Sequence, residues 1–185
     1  MLRFLSPLLA LFLAACSALP PVSEGLPPRA AVRDFGLGAR FSLTHEGERH
    51  AGRLDWSHRG AVDELRIHTP FGQTVAEIVI DARHARLLAA DGQVREAADA
   101  AQLLREVLGY PLPIHDLAGW VLARPHAAAR VELDAQGRPQ SIADGGWQIL
   151  YDYDAAGPDA LPSRLTVSRD GGPELRLRIE EWRAP

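Results

Sequence analysis

The stretch Asp99–Pro125, DAAQLLREVLGYPLPIHDLAGWVLARP, breaks the period of everything around it. Leu103, Leu104, Val107 and Leu108 recur at helical spacing. Asp99 is placed to cap the first turn and Gly109 to end the last. After the break Tyr110-Pro111-Leu112-Pro113, the residues Ile114, Leu117, Val121 and Leu122 recur in the same way, and Pro125 is the expected stop. Two consecutive amphipathic helices therefore interrupt a chain that elsewhere alternates.

On the N-terminal side, the alternation puts Leu37, Ala39, Phe41 and Leu43 on one face, then Gly52, Leu54 and Trp56, then Leu65 and Ile67. Ala76, Ile78 and Ile80 continue it. Their strand also carries Val75 and Val79 on its other side, so both of its faces are expected to be covered. Asp91-Gly92 marks a hairpin. On the C-terminal side a hairpin is expected at Ala135-Gln136-Gly137. Trp147, Ile149, Tyr151 and Tyr153 then share a face, and a turn at Asp170-Gly171-Gly172 leads to Leu175, Leu177 and Ile179. The total is about eleven strands. One apolar face per strand suits an antiparallel sheet with a solvated side, and a sheet this long curls or closes. Two helices are too few to cover both of its faces. They are better placed across one opening, as a lid over a barrel able to enclose a ligand. The class is mainly β.

The chain begins with Met1-Leu2-Arg3 and an apolar run from Phe4 to Ala15, the length of a signal peptide and too short to span a bilayer. Leu13-Ala14-Ala15-Cys16 resembles a bacterial lipobox, in which the cysteine is lipidated and becomes the mature N-terminus. The alternative is an ordinary signal peptide with Cys16 a bystander. Cys16 is the only cysteine, so no internal disulfide is available to the fold. Ser17 in the next position favours the outer membrane. Two Pro-Pro pairs between Ala18 and Arg33 make a semi-extended tether. The expected organisation is a signal peptide over 1–15, a lipidated N-terminus and tether over 16–33, and one domain over 34–185.

Chemistry is sparse. The formal net charge is −4, which gives no broad basic surface for nucleic acid. A phosphate loop with a lysine is impossible, because all 20 basic residues are arginine. No G-x-S-x-G or H-E-x-x-H motif occurs. Seven histidines are present. The one loose cluster, His45, Glu46, Glu48 and His50, falls at a hairpin tip and is expected to be a solvated turn. Asp152-x-Asp154 lacks the further ligands of a calcium loop. Glu180 and Glu181 are strand neighbours expected to point to opposite faces, a poor catalytic pair. These features point to a binding protein rather than an enzyme, with no metal and no cofactor expected.

One turn is unusual. Thr69-Pro70-Phe71-Gly72-Gln73 has hairpin punctuation, yet its tip carries an apolar ring where turns are usually polar. From spacing alone, Phe71 either folds back onto its own hairpin or serves as a membrane probe. Together, Cys16 in its lipobox, "TPFGQT", "VLGYPLPIHDLAGWVLARP", "WQILYDYD", "LPSRLTV" and "LRLRIEEW" resemble the LolB family of outer-membrane lipoprotein receptors, from about Phe35 to Trp182. The family pattern often has Leu where Phe71 stands.

The resemblance implies a LolA/LolB-like fold, an unclosed antiparallel β-barrel with a helical lid over an apolar cavity. It implies a monomer, lipid-anchored through Cys16 to the outer membrane and facing the periplasm. Such a protein takes acylated lipoproteins from the periplasmic carrier LolA and inserts them into the inner leaflet. Delivery would involve the loop Pro70, Phe71 and Gly72. The acyl site would draw on the inward pool Phe41, Leu54, Trp56, Ile67, Ile78, Leu117, Trp120, Trp147, Ile149, Leu165, Leu177 and Ile179. An envelope lipid- or glycolipid-binding lipoprotein of the same architecture, or a structural lipoprotein, is the alternative.

Overall fold

A computed structural model describes residues 27–184. Cys16, the leader over 1–15 and most of the 16–33 tether lie outside them. Eleven strands form one sheet: β1 (Phe35–His45), β2 (Glu48–Arg59), β3 (Val62–His68), β4 (Thr74–Ile80), β5 (Ala85–Ala89), β6 (Val94–Ala97), β7 (Arg130–Leu133), β8 (Pro139–Asp144), β9 (Trp147–Asp152), β10 (Arg164–Ser168) and β11 (Glu174–Arg183). Their order across the sheet is β6-β5-β4-β3-β2-β1-β11-β10-β9-β8-β7. Every neighbouring pair is antiparallel. The sheet is two meanders joined at its centre, where β1 pairs with β11. Its outer edges, β6 and β7, do not pair with each other among the described residues, so the sheet does not close.

Helices α1 (Ala100–Leu108) and α2 (Ile114–Val121) connect those two edges. The Asp99 carboxylate accepts from the Gln102 N–H at 2.7 Å, and Gly109 ends α1 at φ 86°. Both ends match the expectation. α2 stops sooner than its proline. Ala123 takes the left-handed φ of 51°, its N–H donates to the Trp120 carbonyl, and the Arg124 N–H donates to the Gly119 carbonyl. That pair of bonds satisfies the last carbonyls, so the helix ends before Pro125 is reached.

The period-two pattern sorts the sheet. Leu37, Ala39, Leu43, Leu54, Trp56, Leu65, Ile78 and Ile80 are buried on the inner face, joined from the other meander by Ile149, Tyr151, Leu165, Val167, Leu175 and Leu177. Two expectations are corrected. Val75 and Val79 are exposed, so that strand is not covered on both sides; β-branched residues occur in strands even where nothing covers them. Glu180 and Glu181 are both exposed rather than opposed. Gly38 pairs with Glu181 and Ala39 with Ile179, so Glu180 is the extra residue of a β-bulge.

Candidate functional site

The inner face is not filled evenly. A cavity of about 530 Å³ opens between β1–β5 and the two helices, within the size range of small-ligand sites. Its sheet wall includes Phe41, Leu43, Leu54, Leu65, Ile67, Ala76, Ile78 and Leu87, with Leu175 and Leu177 from β11. Its roof is Leu104, Val107 and Leu108 of α1, Leu112 of the break, and Ile114 and Leu117 of α2. Arg49, His50, His68 and Thr69 bring polar atoms to its rim. A space so lined has little to offer an ion or a sugar and much to offer a hydrocarbon chain.

Six members of the inward pool line this space: Phe41, Leu54, Ile67, Ile78, Leu117 and Leu177. The other six lie outside its lining. Trp56 packs edge-on to Phe35 at 5.2 Å and donates its Nε1–H to the buried Asp63 at 2.8 Å. Trp120 packs near Trp147, with ring centres 6.2 Å apart. Ile149, Leu165 and Ile179 are buried in the closed half of the core. Alternation tells inside from outside but says nothing about where the helices leave room. The helical stripe carries the signal for Leu104, Val107, Leu108 and Ile114, and strand alternation carries it for Leu43, Leu65, Ala76 and Leu175.

The helices are held unequally. The Asp144 carboxylate, at the end of β8, accepts from Trp120 Nε1 at 3.1 Å and from the His126 N–H at 3.3 Å, and lies 2.7 Å from His126 Nδ1. Burial acts to raise the Asp144 carboxyl pKa, but these donors outweigh it and hold the value below the ordinary carboxylate range. The Tyr151 hydroxyl donates to the Trp120 carbonyl at 2.9 Å, and burial pushes its phenol up. Together these bonds pin α2 to β8 and β9. Among the described residues α1 packs mainly against β5, β6 and α2.

The hairpin between β3 and β4 stands at the cavity mouth. The Gly72 N–H donates to the Thr69 carbonyl at 2.9 Å and the Thr69 N–H to the Gln73 carbonyl at 2.8 Å. Gly72 sits at φ 89°, where a side chain would be strained. At the hairpin base, a Cβ at Gly52 would run into the His68 carbonyl oxygen, so only glycine lets β2 and β3 approach there. Phe71 is 95% exposed. It does not fold back onto its hairpin. Pro70 borders the cavity, while Gly72 borders a groove on the outer face together with Arg53 and Glu180. Among the described residues, no group of three or more His, Cys, Asp or Glu is placed to hold a metal ion, and no helix is long and apolar enough to cross a membrane.

Residues 33–182 match the family model described as "Outer membrane lipoprotein LolB". A protein of Dechloromonas aromatica named outer-membrane lipoprotein LolB is 40% identical over 98% of this chain and 97% of its own length. Its namesake in Azoarcus sp. is 37% identical over 97% and 95%. Among solved structures, a LolA superfamily protein from Nitrosomonas europaea is similar at TM-score 0.50 and 10% identity, covering 82% of this chain and 86% of that one. A putative outer membrane lipoprotein-sorting protein domain from Vibrio parahaemolyticus is similar at TM-score 0.51 and 14% identity, covering 81% and 84%. The structural likenesses speak for the unclosed sheet with its helices. The sequence matches, which run nearly end to end, establish that the chain belongs to the LolB family of outer-membrane lipoproteins.

Proposed function

We propose that this chain is an outer-membrane receptor that takes lipoproteins from the periplasmic carrier LolA, shelters their acyl chains and releases them into the inner leaflet of the outer membrane. The observation that carries the reading is the aliphatic cavity roofed by α1 and α2, with an exposed phenylalanine at its mouth. Each CH₂ left in water costs about 0.8 kcal/mol, so a long acyl chain does not cross an aqueous space unsheltered. Transfer then runs on differences in affinity, the cavity holding chains better than the carrier and less well than the bilayer. Cys16 is the anchor in this reading, and Phe71 is the probe that touches the acceptor leaflet. Burying one phenylalanine contributes roughly 1.5–3 kcal/mol, too little to anchor and enough for a passing contact.

The testing experiment mixes the anchored protein with carrier loaded with an acylated lipoprotein, and with liposomes. Cargo moves first to this chain and then into the liposomes. Cargo stripped of its acyl chains does not move. A protein that takes up phospholipid but never a lipoprotein is instead a lipid-binding module. Mass spectrometry of the same preparation shows a triacylated Cys16 as the first residue; a free thiol there removes the anchor from the proposal.

A further inference from the structure

The outer face of the sheet holds an arrangement that the cavity does not explain. Arg53 on β2 is directly opposite Arg40 on β1, Arg40 is opposite Arg178 on β11, and Arg178 is opposite Arg164 on β10. Four like charges thus stand in register across four adjacent strands, a row of about 14 Å at ordinary strand spacing. Like charges directly opposite each other destabilise a sheet. The neighbouring outer row shows the usual solution, since Glu77, Arg66 and Asp55 alternate in sign across β4, β3 and β2. In the arginine row, Glu180 pairs with Arg40 at 2.8 Å and Arg53 at 3.2 Å. Arg178 and Arg164 make no ion pair with any described residue, although Asp152 follows Arg164 in the same register.

Beside the row lies a groove of about 420 Å³ on the outer face. Arg40, Arg164, Arg176 and Arg178 border it together with Ser42, Thr166, Asp152 and the exposed Leu150, and Arg176 is paired with Glu174 at 2.9 Å. Guanidinium forks interleaved with hydroxyls are phosphate-binding chemistry. The row also continues into the hairpin at the cavity mouth, because Arg53 pairs with His68 and the Phe71 turn begins at the next residue. We propose that this arginine row binds the phosphates of an anionic phospholipid surface, so that the outer face and the Phe71 tip meet the acceptor leaflet together. The inference rests on the reading of Phe71 as a membrane probe. That continuity favours a lipid surface over an acidic protein as the ligand.

The test holds the full anchored chain in nanodiscs of phosphatidylcholine and mixes it with vesicles of phosphatidylcholine, alone or with phosphatidylglycerol. Only the phosphatidylglycerol vesicles carry the discs down, and added salt weakens the association. The pair Arg164→Gln/Arg178→Gln lowers vesicle affinity about tenfold or more, given what each surface cation contributes near anionic lipid. Its melting temperature is unchanged or higher, because the substitutions relieve repulsion. The charge-matched pair Arg95→Gln/Arg105→Gln, on exposed positions elsewhere, binds as the parent does. Equal loss in both pairs reduces the effect to net charge and overturns the site. Release by inorganic phosphate beyond that by chloride at equal ionic strength makes it a free-anion site and overturns the lipid assignment. Normal vesicle binding with slowed loading from the carrier assigns the row to a protein partner and overturns it too. If the arginine pair changes nothing while Phe71→Glu still blocks insertion, the inference fails and the proposed function stands.

Discussion

Phe71 is where the functional reading is most exposed to test. At 95% exposure it contributes little to the fold, so replacing it leaves the folded state nearly untouched. Phe71→Glu should therefore keep its melting temperature and accept cargo almost normally, yet insert cargo into liposomes far more slowly, since a carboxylate resists entry into hydrocarbon. Phe71→Leu should behave like the parent. Thermal stability, loading and insertion measured on one preparation decide it, and a parallel loss of all three contradicts the probe role. His58 carries a different residue-scale prediction. Its bond to Asp63, 2.7 Å from Nδ1, raises its pKa above the ordinary 6.5 and outweighs the opposing effect of burial. A group with a raised folded pKa contributes stability that is fully present below the unfolded value and is lost as pH rises through the folded one. Thermal melts taken from below pH 6.5 upward through neutrality should show the parent losing stability that His58→Gln never had.

At the scale of elements, the unequal fastening of the two helices has a consequence. Asp144 accepts from Trp120 and His126 and so ties α2 to the second meander, while α1 rests over the cavity without such a tie among the described residues. Asp144→Ala strands the buried indole N–H of Trp120 and should cost about 1–3 kcal/mol. In a chain of this size that lowers Tm by several degrees, read by calorimetry. Asp144→Asn keeps an acceptor and should lose less. The elements themselves were largely legible in the sequence. Asp99 and Gly109 bound α1 as their chemistry requires, and the alternating residues of β1, β2, β9 and β11 face inward. What was not legible depended on tertiary context. Ala123 ended α2 by adopting a left-handed turn that no propensity favours, and a bulge at Glu180 turned two neighbours to the same side. The cavity was half legible. Phe41 and Ile78 line it, but Trp56 and Trp120, equally apolar and equally inward, are held in closed core by indole bonds to Asp63 and Asp144. Those long-range partners have no local signature.

For the whole molecule, the proposed function depends on space left unfilled. A core packed to ordinary density would be more stable and would hold no guest. Ala76 lies on the cavity wall, so Ala76→Phe should fill part of the space. Filling a cavity commonly adds roughly 0.5–2 kcal/mol. The variant should therefore melt no lower than the parent while taking up less acyl cargo, a split that a purely structural lipoprotein would not show. The second meander, by contrast, keeps a closed core of Ile142, Ile149, Leu165 and Val167, all nearly fully buried. In the proposed reading the first meander, with Leu175 and Leu177 of β11, holds the guest, while β8–β10 hold the fold. The most direct measurement of that division is photocrosslinking with a lipoprotein whose acyl chain carries a photoreactive group near its end, followed by mapping of the labelled peptides. Labels are expected on β1–β5 and α1, at residues such as Leu43, Leu65, Leu87 and Leu104. Labels confined to β8–β10, or spread over the outer face, would contradict it.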